Sequence, residues 1–290
     1  MARPTYDAVI VGAGPNGLVA GNVLADAGWR VLVLERNDVP GGAVRSAEIF
    51  GPGFTTDLFS AFYPLAAASP VFRALALEDH GLVWCHAPAV LAHLLPDGRA
   101  AILSRDIVET ASSLDAFAPG DGARWQDMVR RWARLEDQLL GSFLGPFPPI
   151  RAGLSLLRRL GFADAVRFAR LSALPVRRLG DEQFRGDGAR LLLEGSALHS
   201  DMPPHDAGSA LFGWLLTMVG QRYGFPVPRG GADQLTAALV RRLTSAGGEI
   251  RCGEAVDRIV VVQRRARGVR TALGELIVAT RAVLADVDAP

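Results

Sequence analysis

Residues 5–36, TYDAVIVGAGPNGLVAGNVLADAGWRVLVLER, decide the fold of this chain. The apolar run Ala8–Val11 leads into the glycines of a Gly-x-Gly-x-x-Gly motif, and a helical stretch to about Gly28 follows. A second apolar run, Val31–Leu34, ends at Glu35. This order of strand, glycine turn, helix, strand and acid predicts a βαβ unit of the kind that binds an adenine dinucleotide.

Each glycine of the motif has a different physical task. Gly12 permits the tight turn out of the first strand, Gly14 lets the backbone approach a pyrophosphate, and Gly17 lets the helix pack closely against the sheet. The free N–H groups and the positive dipole end of that helix favour phosphate groups. We expect Glu35 to accept hydrogen bonds from the hydroxyls of a ribose. The alternative is a βαβ unit whose glycine turn binds no nucleotide.

Two glycine-rich segments outside this unit narrow the choice of cofactor. One is Pro40-Gly41-Gly42-Ala43-Val44-Arg45-Ser46, and the other is Pro228-Arg229-Gly230-Gly231-Ala232-Asp233-Gln234-Leu235, which precedes a helix and Gly248-Glu249-Ile250-Arg251. Together with residues 11–36, they resemble the FAD-binding parts of the amine oxidase and phytoene desaturase superfamily of flavoproteins, and most of all its phytoene-dehydrogenase-related branch. The loop Pro52–Asp57 is similar to the family's loop beside the isoalloxazine. The resemblance covers both ends of the chain well and the middle poorly.

The resemblance implies that FAD is the cofactor and that particular residues bind it. The pyrophosphate would be lined by the glycine turn and the first residues of the helix, which are Gly12, Gly14, Pro15, Asn16 and Gly17. The other expected cofactor-binding residues are Glu35 and Arg36 at the adenosine, Gly41, Gly42 and Arg45 near the phosphates or the ribityl chain, and the backbone of Val256 at the adenine. In the family the arginine directly follows the Gly-Gly doublet, whereas two residues intervene here.

The expected fold class is α/β, with a Rossmann-like FAD- or NAD(P)-binding domain and an inserted, mainly helical substrate domain. Residues 1–75 and 226–290 are predicted to form the first domain, and residues 76–225 the second, with short strands followed by helices. Family members run to several hundred residues and end in a glycine-rich segment that contacts the flavin. Since no such segment follows Asp286, the chain is expected to be a C-terminally truncated member or a fragment.

Hydrophobic periodicity predicts the elements between the two ends. A hairpin is expected at Leu91–Leu95 and Ala100–Leu103, and a buried helix at Ala207–Gly220. A helix after Asp121 should bury one face, which carries Trp125, Met128, Val129, Trp132, Leu135 and Leu139. A proline-rich break is expected at Leu144–Pro149. The predicted C-terminal strands are Glu249–Arg251, Val256–Gln263, Gly268–Thr271 and Leu276–Ala279, followed by a separate apolar run at Val283–Ala285.

Composition limits the partners. The chain has 290 residues and a net charge of +1, so its overall charge does not favour binding to nucleic acid. Cys85 and Cys252 form no C-x-x-C pair, so a redox disulfide is not expected, and the five histidines show no metal-ligand spacing. The N-terminus shows no secretory signal, and no apolar run reaches about 18 residues. These features predict a cytoplasmic protein, and contact with a membrane surface stays open.

Three functions remain open from the sequence. The first is an FAD-dependent oxidoreductase that removes hydride from a C–C or C–N bond of a largely apolar small molecule and passes electrons to an external acceptor, oxygen or a quinone. The flavin itself carries hydride chemistry, so the absence of an evident catalytic triad does not count against this function, and no catalytic residue is assigned. The second is an NAD(P)-binding oxidoreductase, and the third is a non-catalytic flavoprotein-fold member that binds a partner.

Overall fold

A computed structural model describes residues 5–145 and 148–287. Its helices are α1 (Pro15–Asp26), α2 (Pro64–Ala68), α3 (Pro70–Leu75), α4 (Ile107–Asp115), α5 (Asp121–Phe143), α6 (Ile150–Ala173), α7 (Val176–Gln183), α8 (Asp187–His199), α9 (Ser209–Tyr223) and α10 (Asp233–Ser245). A 3₁₀ helix covers Leu77–His80. Its strands are β1 (Thr5–Val11), β2 (Val31–Leu34), β3 (Ser46–Ala47), β4 (Thr56–Asp57), β5 (Trp84–Cys85), β6 (Leu91–Leu94), β7 (Ala100–Leu103), β8 (Val227–Pro228), β9 (Glu249–Arg251), β10 (Val256–Val262), β11 (Arg265–Thr271) and β12 (Leu276–Ala285).

The chain packs as two compact units. The sheet unit contains the residues up to Tyr63, the segment Val71–Cys85 and the residues from Val227 onward. The helical unit contains Pro64–Pro70 and His86–Pro226. The sheet unit is therefore assembled from segments that are far apart in sequence.

A six-stranded sheet forms the centre of the sheet unit, in the order β10-β11-β12-β1-β2-β9. Strands β12, β1, β2 and β9 run parallel, whereas β10 and β11 pair antiparallel at one edge. The parallel strands β1 and β2 are joined through α1, as a βαβ unit requires. The predicted α/β fold class is confirmed by this parallel sheet with its helices.

Helices α1 and α10 cover one face of this sheet. Strand β2 is buried along its whole length because its side chains are enclosed on both faces. Close packing of α1 depends on Gly21, where an added Cβ atom would lie 3.1 Å from Leu243 and 3.4 Å from Val33. The buried Asn22 side chain, on the same helix, donates to the carbonyl oxygens of Leu18 and Leu239, at 2.9 and 3.1 Å. These contacts pack the middle of α1 against α10 and β2.

The last strand differs from the prediction. The two apolar runs 276–279 and 283–285 belong to one ten-residue strand, β12, rather than to two separate segments. Its first part pairs with β11, and its second part pairs with β1 as far as the pair Val11 and Ala285. The carboxyl ends of β12 and β1 therefore lie side by side.

The helical unit has its own apolar core. The buried face predicted for the helix after Asp121 is confirmed, because Trp125, Met128, Trp132 and Leu139 of α5 are buried. The predicted hairpin is also confirmed as the antiparallel pair β6 and β7. Helix α5 ends and α6 begins on either side of the predicted proline-rich break, of which residues 146 and 147 lie outside the described residues. Within the described segments, no helix combines the length and the apolar character that crossing a bilayer requires.

Candidate functional site

The glycine turn after β1 is too tight for any side chain at its first position. Gly12 has a φ of 101°, and an added Cβ atom would lie 2.3 Å from the backbone oxygen of Asp286. Its amide donates to the carbonyl oxygen of Leu34 at 2.7 Å, which joins the ends of β1 and β2. An alanine here would clash with backbone rather than with a movable side chain. Glycine at position 12 is therefore required by the fold itself.

The start of α1 presents backbone amides that the protein leaves free. Gly14 is the N-cap residue, with no side-chain capping bond, and Pro15 occupies the first turn. Within residues 5–145 and 148–287, the amides of Gly14 and Asn16 have no hydrogen-bond acceptor. These two N–H groups and the positive end of the helix dipole make a site for an anion. An added Cβ atom at Gly14 would contact only Asp286, at 3.1 Å, so the approach to this backbone is otherwise open.

Asp286 is a member of the site that sequence reasoning missed. It follows β12 directly, and its amide donates to the carbonyl oxygen of Val11 at 2.8 Å. Its carboxylate oxygen Oδ2 accepts a hydrogen bond from the amide of Gly17 at 2.7 Å. The carboxylate thus caps α1 from a distant part of the chain. An acid at the end of an apolar run was the available sequence signal, because polar residues at the carboxyl ends of parallel strands cluster in sites.

Glu35 lies where the motif predicts, at the end of β2, but its carboxylate is already engaged. It is 5% exposed, and Oε2 accepts the amide of Ala13 at 2.8 Å. Oε1 accepts the backbone amide of Asn37 at 2.9 Å and its side-chain amide at 2.6 Å. A carboxylate has about four acceptor positions, of which three are filled here. Glu35 therefore braces the glycine turn against β2 and retains room for one further donor.

The Gly-Gly doublet packs directly on the start of α1. Gly41 has a φ of 124°, and its amide donates to the carbonyl oxygen of Ala13 at 2.8 Å. At Gly42 an added Cβ atom would lie 3.3 Å from the Cα atom of Gly14. The structure therefore brings the doublet and the glycine turn together. The predicted residues Arg36 and Arg45 are exposed and half-buried respectively, and neither forms an ion pair within the described part of the chain.

Both resembling segments meet around a network of buried and partly buried hydrogen bonds. The hydroxyl of Ser46 donates to Asp57 at 2.6 Å, and the same carboxylate oxygen accepts the amide of Ala232 at 2.7 Å. Thr236 of α10 donates to the carbonyl oxygen of Val44 at 2.8 Å. This network anchors the loop after the doublet to the start of α10. Sequence reasoning found both segments but not the side chains that join them.

Val256 lies farther along the chain, on the other side of the loop that follows β9. In that loop the amide of Glu254 donates to the carbonyl oxygen of Glu35 at 2.8 Å. Val256 then begins β10 and is partly buried against the sheet face that carries Leu32 and Leu34. Cys252, in the same loop, has a raised pKa because of its burial and the nearby acids Glu35 and Asp38. The thiol is therefore neutral near pH 7 and is a weak nucleophile there.

Outside the glycine turn, the described residues offer few alternative sites. Cys85 and Cys252 are both free thiols. No group of three or more His, Cys, Asp or Glu side chains converges within the described segments in a way that could hold a metal ion. In the sheet, β1 lies between the parallel strands β12 and β2, and the free amides follow its carboxyl end. Ligands of open α/β sheets bind outside the carboxyl ends of the strands, which is where the free amides lie.

Comparisons with known proteins place the chain in a family. The model of the family described as flavin containing amine oxidoreductase matches residues 16–285. Hydroxyneurosporene desaturase from Cereibacter sphaeroides is 30% identical over 282 residues, which covers 95% of this chain and 55% of the desaturase. One of the limonene dehydrogenase polypeptides from Castellaniella defragrans is 32% identical over 134 residues, covering 46% of this chain and 24% of that polypeptide. The chain thus spans about half or less of the length of these relatives.

A solved structure extends the likeness to the fold. Putrescine oxidase superposes with a TM-score of 0.56 at 19% sequence identity, covering 97% of this chain and 58% of the oxidase. At this identity the superposition concerns the fold alone. It includes nearly all of both units, although the resemblance noticed in the sequence was weak in the middle of the chain.

Proposed function

The chain belongs to the family of flavin-containing amine oxidoreductases, and from this membership we propose that it binds FAD at the β1–α1 turn and serves hydride removal from a largely apolar substrate. The observation that carries the proposal is the pair of free amides, at Gly14 and Asn16, at the positive end of α1. Two N–H groups at a helix start match the needs of a diphosphate, which carries negative charge and acceptor oxygens. They lie at the carboxyl end of β1, the edge at which an open α/β sheet binds its ligands.

The surrounding residues fit an FAD molecule. Gly12 and Gly17 shape the turn, and Gly42 keeps the approach to Gly14 free of side chains. Glu35 retains an acceptor position for a ribose hydroxyl, and Arg36 and the backbone of Val256 are proposed to flank the adenosine. Gly41 and Arg45 are proposed to approach the phosphates or the ribityl chain. When bound, the flavin supplies the hydride acceptor, and the protein's task is to hold it and exclude water.

The substrate class rests on the names of the relatives. Limonene dehydrogenase and hydroxyneurosporene desaturase are named for the dehydrogenation of largely apolar molecules, whereas the family name refers to amines. We therefore propose removal of two hydrogens from a C–C or C–N bond of such a molecule. The electrons would pass from the flavin to an external acceptor, oxygen or a quinone.

Binding measurements on the purified chain test the cofactor. The expected result is a yellow protein that releases flavin on heating, with FAD binding in calorimetry that is competed by ADP. Competition by ADP is expected because the proposed contacts are mainly to the adenosine diphosphate half. A colourless protein that binds NADH but not FAD would instead support an NAD(P)-dependent oxidoreductase. Binding of neither would support a non-catalytic member, and either result would overturn the proposal.

A second measurement tests the reaction. Under anaerobic conditions, bleaching of the flavin absorbance by an added terpene such as limonene, or by an amine such as putrescine, would identify the class of bond oxidised. A flavin that none of these compounds reduces would contradict the proposed activity of this chain while leaving the cofactor site intact.

A further inference from the structure

Helix α6 of the helical unit exposes apolar side chains in a regular pattern. In its first half, Ile150, Leu154 and Leu157 are 63%, 49% and 57% exposed. Their spacing of four and three residues places them on one stripe of the helix. The helix bends at Gly161, and in the second half Phe162 and Val166, again four apart, are 87% and 56% exposed. We call the first three residues, Ile150, Leu154 and Leu157, which share one face of the first half, the α6 stripe.

The α6 stripe is additional to the face that fixes the helix in the core. Leu156 is buried, and Leu160, Phe168 and Leu171 pack partly buried against the apolar core of the helical unit. At about 100° per residue, Leu156 lies about 120° from Ile150 around the helix axis. The apolar surface of α6 therefore continues from the core into solvent. Contiguous exposed apolar surface of this kind is typical of an interaction site.

The charges beside the stripe are almost all positive. The helix carries five arginines and a single acid, Asp164. Arg151 and Arg158 are exposed and form no ion pair with any described residue. Both lie about 80–100° from Ile150 around the axis, so they flank the stripe on the side away from the core. Arg159 donates to the backbone carbonyl oxygen of Arg134, and Arg167 and Arg170 pair with Asp164 and Glu182.

The pattern of an apolar stripe edged by unpaired arginines fits one partner chemistry. A helix lying in a membrane interface buries its apolar side chains while basic residues contact anionic headgroups. The long arginine side chains can reach the headgroups while their stems lie along apolar surface. We propose that the α6 stripe, with Arg151 and Arg158, docks the helical unit on an anionic lipid surface. The helix lies along the surface and does not cross it.

A second exposed apolar region has no basic residues within its loop and so provides a comparison for the arginines of α6. The loop between β3 and β4, in the sheet unit, carries Ile49, Phe50 and Phe54 with exposures of 59%, 79% and 70%. Its nearest charged neighbour in sequence within the loop is Glu48, an acid. This loop lacks the basic residues that an anionic surface attracts. It serves as the matched apolar control for the α6 stripe.

Vesicle co-sedimentation of the whole chain tests the proposal. Vesicles of phosphatidylcholine alone are compared with vesicles of phosphatidylcholine and phosphatidylglycerol in equal parts. The expected result is binding to the mixed vesicles that weakens as salt is added. The double variant Arg151→Gln with Arg158→Gln should reduce the partition coefficient about 25-fold, because one arginine near an anionic surface contributes about fivefold. Leu154→Ser with Leu157→Ser should reduce it about tenfold or more.

Two control variants distinguish vesicle binding through the α6 stripe from nonspecific vesicle binding. Arg73→Gln with Arg131→Gln makes the same change of charge at exposed arginines on α3 and α5 that also lack ion pairs within the described residues. Phe50→Ser with Phe54→Ser removes even more exposed apolar surface, but from the β3–β4 loop. Both should bind vesicles as the unchanged chain does. Circular dichroism confirms that each variant is folded.

Three results would overturn the proposal. The first is equal binding, or no binding, to the two kinds of vesicle. The second is a double arginine variant that binds like the unchanged chain. The third is an unchanged chain that is dimeric and does not bind vesicles, together with a Leu154→Ser, Leu157→Ser variant that is monomeric. A second copy of the chain would then cover the stripe. None of these measurements depends on the flavin, so the result is independent of the proposed function.

Discussion

Several buried polar groups in the core of the helical unit are paired with one another, whereas the glycine turn of the sheet unit leaves two amides without a partner among the described residues. In the helical core, the indole N–H of Trp125 donates to Gln221 at 2.9 Å, and the Gln221 amide donates to the carbonyl oxygen of Ser104. Asp121, 1% exposed, accepts the amides of Arg185 and Gly186. These groups satisfy one another inside the protein. At the glycine turn, the amides of Gly14 and Asn16 are left open.

This difference separates polar groups that stabilise the fold from polar groups that are available to a ligand. A buried polar group with an internal partner contributes to stability, and its loss leaves the partner unsatisfied. A donor left at a helix end contributes little to folding and is available to a ligand. Substitutions in the helical core should therefore change the free energy of unfolding, whereas substitutions at the turn should change binding. Variants of the two regions test this division.

Trp125→Ala should have the largest effect, and only on stability. Its side chain is fully buried, so truncation creates a cavity and lowers the free energy of unfolding of the helical unit by about 3–5 kcal/mol. Urea denaturation measures the loss, and the affinity for ADP should not change. An ADP affinity that falls in parallel with stability would break the proposed division between the units.

The neighbouring Trp132 provides the matched control for the hydrogen bond. It is 2% exposed, and its indole N–H has no acceptor among the described residues; the ring packs edge-on against Trp214 at 5.5 Å. Trp125→Phe should cost about 1–2 kcal/mol more than Trp132→Phe, since only the former strands a buried acceptor on Gln221. Equal costs would mean that volume alone decides stability here.

Gly14→Val should have the largest effect on binding. Its φ of −67° and ψ of 172° are accessible to valine, so the fold should persist. The side chain would occupy the open approach to the free amides, and losing two charge-assisted hydrogen bonds weakens FAD binding by about 3 kcal/mol or more. Calorimetry with FAD and with ADP measures this, and thermal unfolding checks the fold. A Gly14→Val protein that still purifies with flavin would show that the diphosphate binds elsewhere.

Glu35→Ala should affect both properties, because this side chain serves the fold and the site at once. Loss of the carboxylate strands the amide of Ala13 and removes the acceptor proposed for a ribose hydroxyl. Dinucleotide binding should weaken by about 1–3 kcal/mol, and the melting temperature should fall. Glu35→Gln, which keeps one acceptor oxygen, should lie between. The exposed Glu48→Ala is the control for loss of an acid, and should match the unchanged chain in both measurements.

The sequence predicted the glycine turn and the end of β2 because the βαβ unit is local. Gly12, Gly14, Gly17 and Glu35 lie within one stretch whose spacing follows from strand and helix geometry. What could not be predicted was contributed by distant pairing. Asp286 meets Gly17 across 269 positions, through the pairing of β12 with β1. No local pattern encodes which strand neighbours β1.

The continuity of β12 was missed for a related reason. Thr280 and Arg281 interrupt the apolar pattern and predict a break between two segments. In the structure both side chains are exposed and have partners outside the sheet core. The Thr280 hydroxyl donates to Asp7 at 3.2 Å, and the Arg281 guanidinium lies 3.9 Å from the ring centre of Trp29. Polar residues at these positions therefore tie β12 to the rest of the unit rather than ending it.

Asp286→Asn should have the smallest effect, with the opposite sign. The Asp286 carboxylate caps α1 at the amide of Gly17 and so places a negative charge at the helix end proposed to take a diphosphate. Asparagine keeps an acceptor oxygen for that amide and removes the charge, so ADP should bind more tightly by about 0.3–1 kcal/mol. Asp286→Ala removes the cap as well and should lower the free energy of unfolding by about 1 kcal/mol.

Adenosine distinguishes a charge effect from a change of shape at the same site. It carries no phosphate, so the gain from Asp286→Asn should appear in calorimetry with ADP and vanish with adenosine. Added salt should reduce the gain, because the repulsion between the carboxylate and the diphosphate is screened. If asparagine tightens both ligands equally, Asp286 acts through the geometry of the turn alone. The turn would then resemble the helical core, where side chains serve the fold and not a ligand.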